Sequence, residues 1–273
     1  MKVRLEDPAK IIKLLTVFRH LKGVSENVNL VWDVTGLYSQ GISGSHTSMF
    51  ELVLGESWFK EYNVKESITM GVNCEILFKM MNCTDTSPTT AIEFGLNKKR
   101  DKLQMFIDGK YPKKFEVPLM FLDIEMLEIP EAEYQVDINI NSKEFSDIIN
   151  ELSIFGEDLT IECAMDDDDI NLTSSGVNGK MEVKIKEELI TEYSTDENFE
   201  KLSVVFGMEI IKSFTLFSKL NGNTWLHISP NLPLKIMFSL EDWKDKKAED
   251  EDNEEDEKVN NFIKFYAAPK CED

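Results

Sequence analysis

Between Pro8 and Lys22 the apolar positions Ile11, Leu14, Leu15, Phe18 and Leu21 recur at helical spacing and mark one face of a helix. Pro8 suits its first turn and Gly23 its end. The period then changes from 3.6 to 2. Val28 to Trp32 and Leu37 to Ile42 alternate like strands, and Asp33 to Gly36 reads as the turn of a hairpin between them. Further strand-like runs are Ser48 to Leu54, Trp58 to Val64 and Ser67 to Gly71. A second helix is predicted over about Asn73 to Asn82, with Ile76, Leu77, Met80 and Met81 inward. Strands follow at Thr90 to Leu96, Lys102 to Ile107 and Lys114 to Val117.

Pro118 to Tyr134 has no clean period. It is apolar, acidic and bounded by prolines, which suits a connector strapped over a surface. The pattern then restarts with a strand at Tyr134 to Ile140. Ser142 is a fair N-cap for a third helix through Ile154, with Phe145, Ile148, Ile149 and Leu152 inward. Leu159 to Met165, a turn at Asp166 to Asp169 and Ile170 to Ser174 repeat the first hairpin. A fourth helix is predicted from about Met208 to Leu220, with Ile211, Phe214, Leu216 and Phe217 apolar. Trp225 to Ser229, Leu234 to Leu240 and Phe262 to Tyr266 read as closing strands. The helices recur roughly every 65 to 70 residues, the spacing of an internal repeat. Short antiparallel strands with helices grouped on one side give an α+β architecture. The predicted organisation is an N-terminal domain over 1–117, a connector over 118–134 and a C-terminal domain over 135–273 with an acidic insertion at 241–260.

The 273 residues are 42% hydrophobic, enough for sizeable cores, and no apolar run is long enough to form a membrane-spanning helix. The acidic start of the chain argues against a secretory leader. The 51 acidic and 30 basic residues leave a net charge of −21, which repels nucleic acid and anionic membranes. Contact with DNA would therefore need a local basic patch. The four predicted helices together carry eight basic and five acidic residues. Ordinary solvated faces would explain that excess; so would a helical face meant for phosphates.

Other candidate chemistry is sparse. Cys74, Cys83, Cys163 and Cys271 form no C-x-x-C pair, and none has a histidine at metal-ligand spacing, so reduced thiols and no metal are expected. Asp166 to Asp169 falls where a turn favours aspartate. Glu241 to Glu257 holds eleven acids and three lysines and reads as a solvated insertion.

Several segments, in the correct order, resemble one family. They are Ser45-His-Thr-Ser48, Met70-Gly-Val-Asn73, Leu127-Glu-Ile-Pro-Glu-Ala-Glu-Tyr134, Ser174-Ser-Gly176 with Asn178-Gly179, and Tyr266-Ala-Ala-Pro-Lys-Cys-Glu-Asp273. Together they resemble the proliferating cell nuclear antigen family, the sliding clamps. The resemblance implies a duplicated two-domain clamp, with antiparallel sheets outside, four helices inside and a closed ring as a homotrimer. Such a ring encircles duplex DNA without reading sequence, raises polymerase processivity and has neither catalytic residues nor a cofactor. It implies partners too: polymerase, clamp loader, nuclease and ligase, each docking through a short hydrophobic-aromatic motif. A nuclear location, or the replication compartment of a large DNA virus, goes with it.

Carried over by position, Lys13, Arg19, Lys79, Lys212 and Lys219 match basic positions of the family's DNA-facing helices. Lys13, Thr16 and His20 are expected opposite the buried stripe of the first helix. The third helix departs, with Asp147 and Asn150 where arginines are usual, and Asn82 replaces a lysine on the second. The grip on DNA is then weaker or redistributed toward Lys10, Lys65 and Lys143. Met165 stands where the family carries a lysine used for ubiquitin attachment. The matching partner-peptide positions are Ile42, His46, Met49, Leu127, Ile129, Pro130, Tyr134, Pro233, Tyr266, Ala268 and Pro269. For ring closure the resemblance implies edge strands near Lys113, Lys114, Phe115 and Val117 and near Val177, Met181, Glu182 and Val183, with the lysines facing Glu182. Two alternatives stay open: a specialised checkpoint-type or non-ring clamp, and an enzyme acting through the aspartate run, for which the sequence offers no converging groups.

Overall fold

The computed structural model describes residues 1–84, 90–124, 126–164, 167–177, 179–197, 199–241 and 261–270. Asp7 shows how its first helix starts. Asp7 has extended backbone angles, and its carboxylate accepts from the amides of Ala9 (2.8 Å) and Lys10 (3.1 Å). It thus satisfies donors that a helix start leaves open, and Pro8 has no donor to satisfy. The chain runs β1 (Lys2–Leu5), α1 (Pro8–His20), β2 (Asn27–Trp32), β3 (Gly36–Ile42), β4 (Ser48–Gly55), β5 (Glu61–Asn63), β6 (Ile68–Asn73), α2 (Cys74–Asn82), β7 (Ala91–Leu96), β8 (Lys102–Asp108) and β9 (Lys113–Pro118). It continues with β10 (Val136–Asn141), α3 (Ser142–Leu152), β11 (Asp158–Ala164), β12 (Asp167–Gly176), β13 (Gly179–Ile185), β14 (Ile190–Thr195), β15 (Lys201–Gly207), α4 (Met208–Thr215), β16 (Asn223–Ile228), β17 (Leu234–Ser239) and β18 (Asn261–Ala267).

The chain divides into two compact units. Unit 1 comprises Met1–Gly44, Phe50–Met126 and Ser239–Ile263; unit 2 comprises Ser45–Met49, Leu127–Phe238 and Lys264–Asp273. Unit 1 has one sheet in the order β5-β1-β7-β8-β9 and a run β4-β3-β2-β6. Unit 2 has a sheet in the order β13-β12-β11-β15 and a run β14-β10-β16-β17-β18. The registered ladders are antiparallel throughout.

Each unit buries one helix pair. In unit 1, α1 packs on α2 and buries Ile11, Leu14, Leu15, Val17 and Phe18. Phe18 meets Phe94 of β7 edge-on at 6.5 Å. In unit 2, α3 packs on α4, and Phe214 stacks on Phe265 of β18 at 4.8 Å. A buried aromatic of this kind contributes about 1.5–3 kcal/mol through its area alone. The β2–β3 turn lies where the sequence puts it: Asp33 Oδ1 accepts from Thr35 N (2.7 Å) and Gly36 N (3.2 Å). The Thr35 hydroxyl on that oxygen pulls the carboxyl below its ordinary pKa.

Several expectations need correction. Asn141, not Ser142, caps α3, accepting from Lys143 N and Glu144 N. The fourth helix ends at Thr215. Phe217 N→Phe214 O and Ser218 N→Thr215 O tighten the chain into turns there, and Phe217 and Leu220 stay buried without further helix. Trp58 to Val64 is not one strand, because Glu56–Trp58 coils into a 3-10 turn and only Glu61–Asn63 pairs. Thr16 is buried, its hydroxyl donating to Ile12 O, and Ile12 is the exposed neighbour. Ile76 is likewise exposed rather than inward. β12 already pairs at Asp167, opposite Ala164, so the aspartate run is largely strand. Met165, Asp166, Asn178, Cys271 and nearly all of the acidic insertion lie outside the described residues.

Candidate functional site

Each unit ends one of its sheets in a strand that is paired on one side only among the described residues. β9 is the last strand of the five-stranded sheet and β13 the last of the four-stranded sheet. Such a strand presents a row of free amides and carbonyls to any further strand. On β9, Lys113, Phe115 and Val117 share one face, with Phe115 opposite Met105 of β8. The Lys113 ammonium donates to Cys83 O. Lys114 pairs with Glu116 at 2.8 Å and holds that carboxyl below its ordinary pKa.

On β13, Met181, Val183 and Ile185 face the sheet while Lys180, Glu182 and Lys184 point out. Lys180 pairs with Glu182 at 3.0 Å. Val177 is not part of the strand. It sits fully exposed in the preceding turn, which closes with Gly176 opposite Gly179, the latter at φ +129. That left-handed backbone favours glycine and ends the strand there. In the single chain, then, Lys113, Lys114 and Glu182 all have partners of their own.

The basic residues separate into two groups. Lys10 donates to Trp58 O (3.2 Å), Lys13 to Leu240 O (3.0 Å) and Arg19 to Met81 O (3.0 Å). Lys212 donates to Ser153 Oγ at 3.2 Å. All four are half-buried, their stems along the protein and their heads on oxygens. Lys65, Lys79, Lys143 and Lys219 are exposed. Lys79 lies 3.8 Å from Glu75, and Lys143 is paired with Asp147 at 2.7 Å. Lys65 and Lys219 make no hydrogen bond or ion pair among the described residues.

With this fold and register the chain can be set against known proteins. The family model for the proliferating cell nuclear antigen N-terminal domain matches residues 1–128, and that for its C-terminal domain matches 128–248. The chain belongs to the proliferating cell nuclear antigen family. The antigen from Entamoeba histolytica superposes with a TM-score of 0.83 at 22% identity, covering 99% of this chain and 98% of that one. A chain of the PCNA2–PCNA3 complex from Sulfolobus tokodaii gives 0.82 at 18% identity, with full coverage of both. The duplicated two-domain fold with antiparallel sheets and four helices is that of the proliferating cell nuclear antigen.

Most of the partner-peptide positions fall in unit 2. Ala268 N donates to Thr47 O (2.8 Å), which pins the tail to the loop that holds His46 and Met49. His46 is exposed in a left-handed conformation (φ 57). Leu127, Pro130 and Pro233 are exposed, whereas Met49, Ile129, Tyr134, Ala268 and Pro269 are half-buried. Tyr266 is 8% exposed, so its ring belongs chiefly to the interior. Ile42, half-buried at the end of β3, belongs to unit 1.

Tyr134 anchors the end of the connector. Its ring lies 5.6 Å from that of His227 and 4.7 Å from the Lys235 ammonium. His227 Nδ1 is 2.5 Å from Asp137 Oδ1 and its ring stacks on Trp225 at 6.0 Å. No sequence motif marks this cluster, although Trp225 and His227 alternate on β16 as outward residues do. Cys74 and Cys163 are buried, which pushes each thiol up to about 12 and leaves neither suited to nucleophilic work.

Proposed function

We infer that this chain is a sliding clamp and a polymerase processivity factor, closing head to tail into a homotrimeric ring around duplex DNA. The observation that carries the reading is the pair of open sheet edges, β9 in unit 1 and β13 in unit 2. Two different edges that join between copies make a heterologous contact, which closes into a ring or grows without limit. Their outward charges alternate, Lys114 and Glu116 on one and Lys180, Glu182 and Lys184 on the other. Exchange of the pairs within each strand for pairs across the joint would keep every charge matched while the ladder gains backbone bonds.

The exposed lysines Lys79, on α2, and Lys219, in the turns just after α4, supply the sequence-independent phosphate contacts, assisted by Lys10, Lys13, Arg19, Lys65, Lys143 and Lys212. Polymerase, clamp loader, nuclease and ligase dock by short hydrophobic-aromatic motifs at the connector and tail residues of unit 2. The chain itself catalyses nothing. It acts where replicating DNA is, in the nucleus or a viral replication compartment. Primer extension on a singly primed template tests this. The chain should lengthen the products of a cognate polymerase, and Lys79→Glu with Lys219→Glu should remove most of that gain, more so at high salt. Unchanged product length with and without the wild-type chain would overturn the processivity role.

A further inference from the structure

A cationic depression lies in unit 1, lined by no residue of α1 or α2. It measures about 420 Å³ and is lined by Asn63, Lys65, Glu66, Ile68, Leu96, Asn97 and Arg100 among others. One wall is the β5–β6 turn and the other is the tip of the β7–β8 hairpin. That tip reads Asn97-Lys98-Lys99-Arg100-Asp101-Lys102, four basic residues in six, within a chain of net charge −21.

The tip is held in shape, and its acids are already engaged. Asn97 Oδ1 accepts from Asp101 N (3.0 Å) and Lys102 N (3.1 Å), and Arg100 N donates to Asn97 O (3.0 Å). The Asn97 amide donates to Asp101 Oδ1 at 2.6 Å. Across the depression, Arg100 Nη1 donates to Glu66 Oε1 at 2.7 Å. Lys65, Lys98 and Lys99 are exposed and make no hydrogen bond or ion pair among the described residues. Lys65 therefore lines the depression, Lys98 and Lys99 stand at the hairpin tip between its lining residues Asn97 and Arg100, and its one lining carboxylate, Glu66, is engaged by Arg100.

We propose that this depression is a second nucleic-acid site, which binds backbone phosphates outside the helix faces. No aromatic side chain lines it, so it has no platform for stacking bases. Its apolar lining, Met1, Ile68 and Leu96, is the smaller part, with Ile68 buried and the other two half-buried, and an acidic peptide would lack an aromatic anchor there. Point charges on flexible stems suit a dense, regular array of phosphates, and DNA carries one charge per about 1.7 Å of axis. The choice of nucleic acid over other anions rests on the proposed clamp function.

The test is fluorescence anisotropy of the full-length chain with a labelled duplex of about 20 base pairs, titrated with salt from about 50 mM upward. Lys98→Gln with Lys99→Gln, and the double reversal Lys98→Glu with Lys99→Glu, are compared with the helix-face pair Lys79→Glu, Lys219→Glu. The reversal should weaken binding roughly tenfold or more and reduce the salt slope by about one unit for each phosphate no longer neutralised. The neutral double variant should move both in the same direction, which covers the case of a reversal that fails to fold. A loss confined to the helix-face pair overturns the second site and leaves the clamp function standing. A loss confined to the hairpin variants does the opposite. Polyglutamate or pyrophosphate displacing the labelled duplex from wild type at lower charge concentration than unlabelled duplex would overturn the assignment to nucleic acid, as would a wild type that does not bind duplex at all.

Discussion

α1 and α3 open the two halves of a duplicated fold, each entered directly from a strand and each packed on one partner helix, yet their polar faces are opposite in sign. α1 carries Lys10, Lys13 and Arg19 and no acid; α3 carries Lys143 against Glu144, Asp147 and Glu151. Their apolar faces barely differ, with Ile11, Leu15 and Phe18 buried on α1 and Phe145, Ile149 and Leu152 at the matching positions of α3. Burial fixes the fold from one side of each helix and leaves the other side free to change charge. The difference also shows where attraction for phosphate can reside. Lys143 is cancelled by Asp147, whereas Lys10 and Arg19 of α1 rest on carbonyls, which bring no opposing charge.

The apolar side that the two helices share should give the largest effects. Phe18→Ala and Phe145→Ala should each destabilise the chain by about 3–5 kcal/mol, read as a lower urea midpoint. A much smaller loss at either position would mean that the two halves are not held alike.

Ile129→Ala, in the connector, should leave the urea midpoint nearly unchanged but weaken a Gln-x-x-hydrophobic-x-x-aromatic-aromatic peptide by about 1–2 kcal/mol in calorimetry. Tyr266→Ala should weaken the peptide and also lower the midpoint, because its ring is interior. Equal peptide affinity in wild type and both variants would remove the assigned site.

The helix starts sharpen the comparison further. Asp7 and Asn141 each accept two amide hydrogens, so Asp7→Ala and Asn141→Ala should cost about 1 kcal/mol apiece. Ser142→Ala should not cost what a lost cap does, and its urea midpoint reads that directly.

The smallest effect belongs to unit 2 alone. Burial pushes His227 below its ordinary pKa despite the hydrogen bond to Asp137 that opposes it. The unfolded chain takes up this proton near pH 6.5, the folded chain only at lower pH. Stability from this residue is therefore full above about pH 6.5 and declines as pH falls below it. A His227→Gln variant should show a shallower fall in melting temperature between about pH 7.5 and 5.5 than wild type. Parallel curves would rule the residue out.

Much of this fold could be read from periodicity. The four helices and the β2–β3 hairpin follow from the spacing of Ile11, Leu14, Leu15 and Phe18 and from Asp33 with Gly36. Helix ends were less legible, because Phe217 and Leu220 keep helical spacing inside turns that are no longer helix. β1 alternates, burying Val3 and Leu5, but is only four residues long, and β14 lies at a sheet edge with both faces partly exposed and does not alternate. β15 did carry a signal, with Leu202, Val204 and Phe206 alternating inward. Among the site residues, the basic and edge positions could be named from the resemblance. That Lys10, Lys13 and Arg19 would rest on backbone carbonyls could not, since those oxygens come from distant parts of the chain.

Ring closure is tested most directly by mass in solution. Multi-angle light scattering at micromolar concentration should give about 94 kDa, three copies of the 31.4 kDa chain. Phe115→Pro, which removes a backbone donor and the aromatic side chain from β9, should reduce that mass to one copy. A wild-type chain that scatters as a 31.4 kDa monomer at the same concentration would contradict the closed ring.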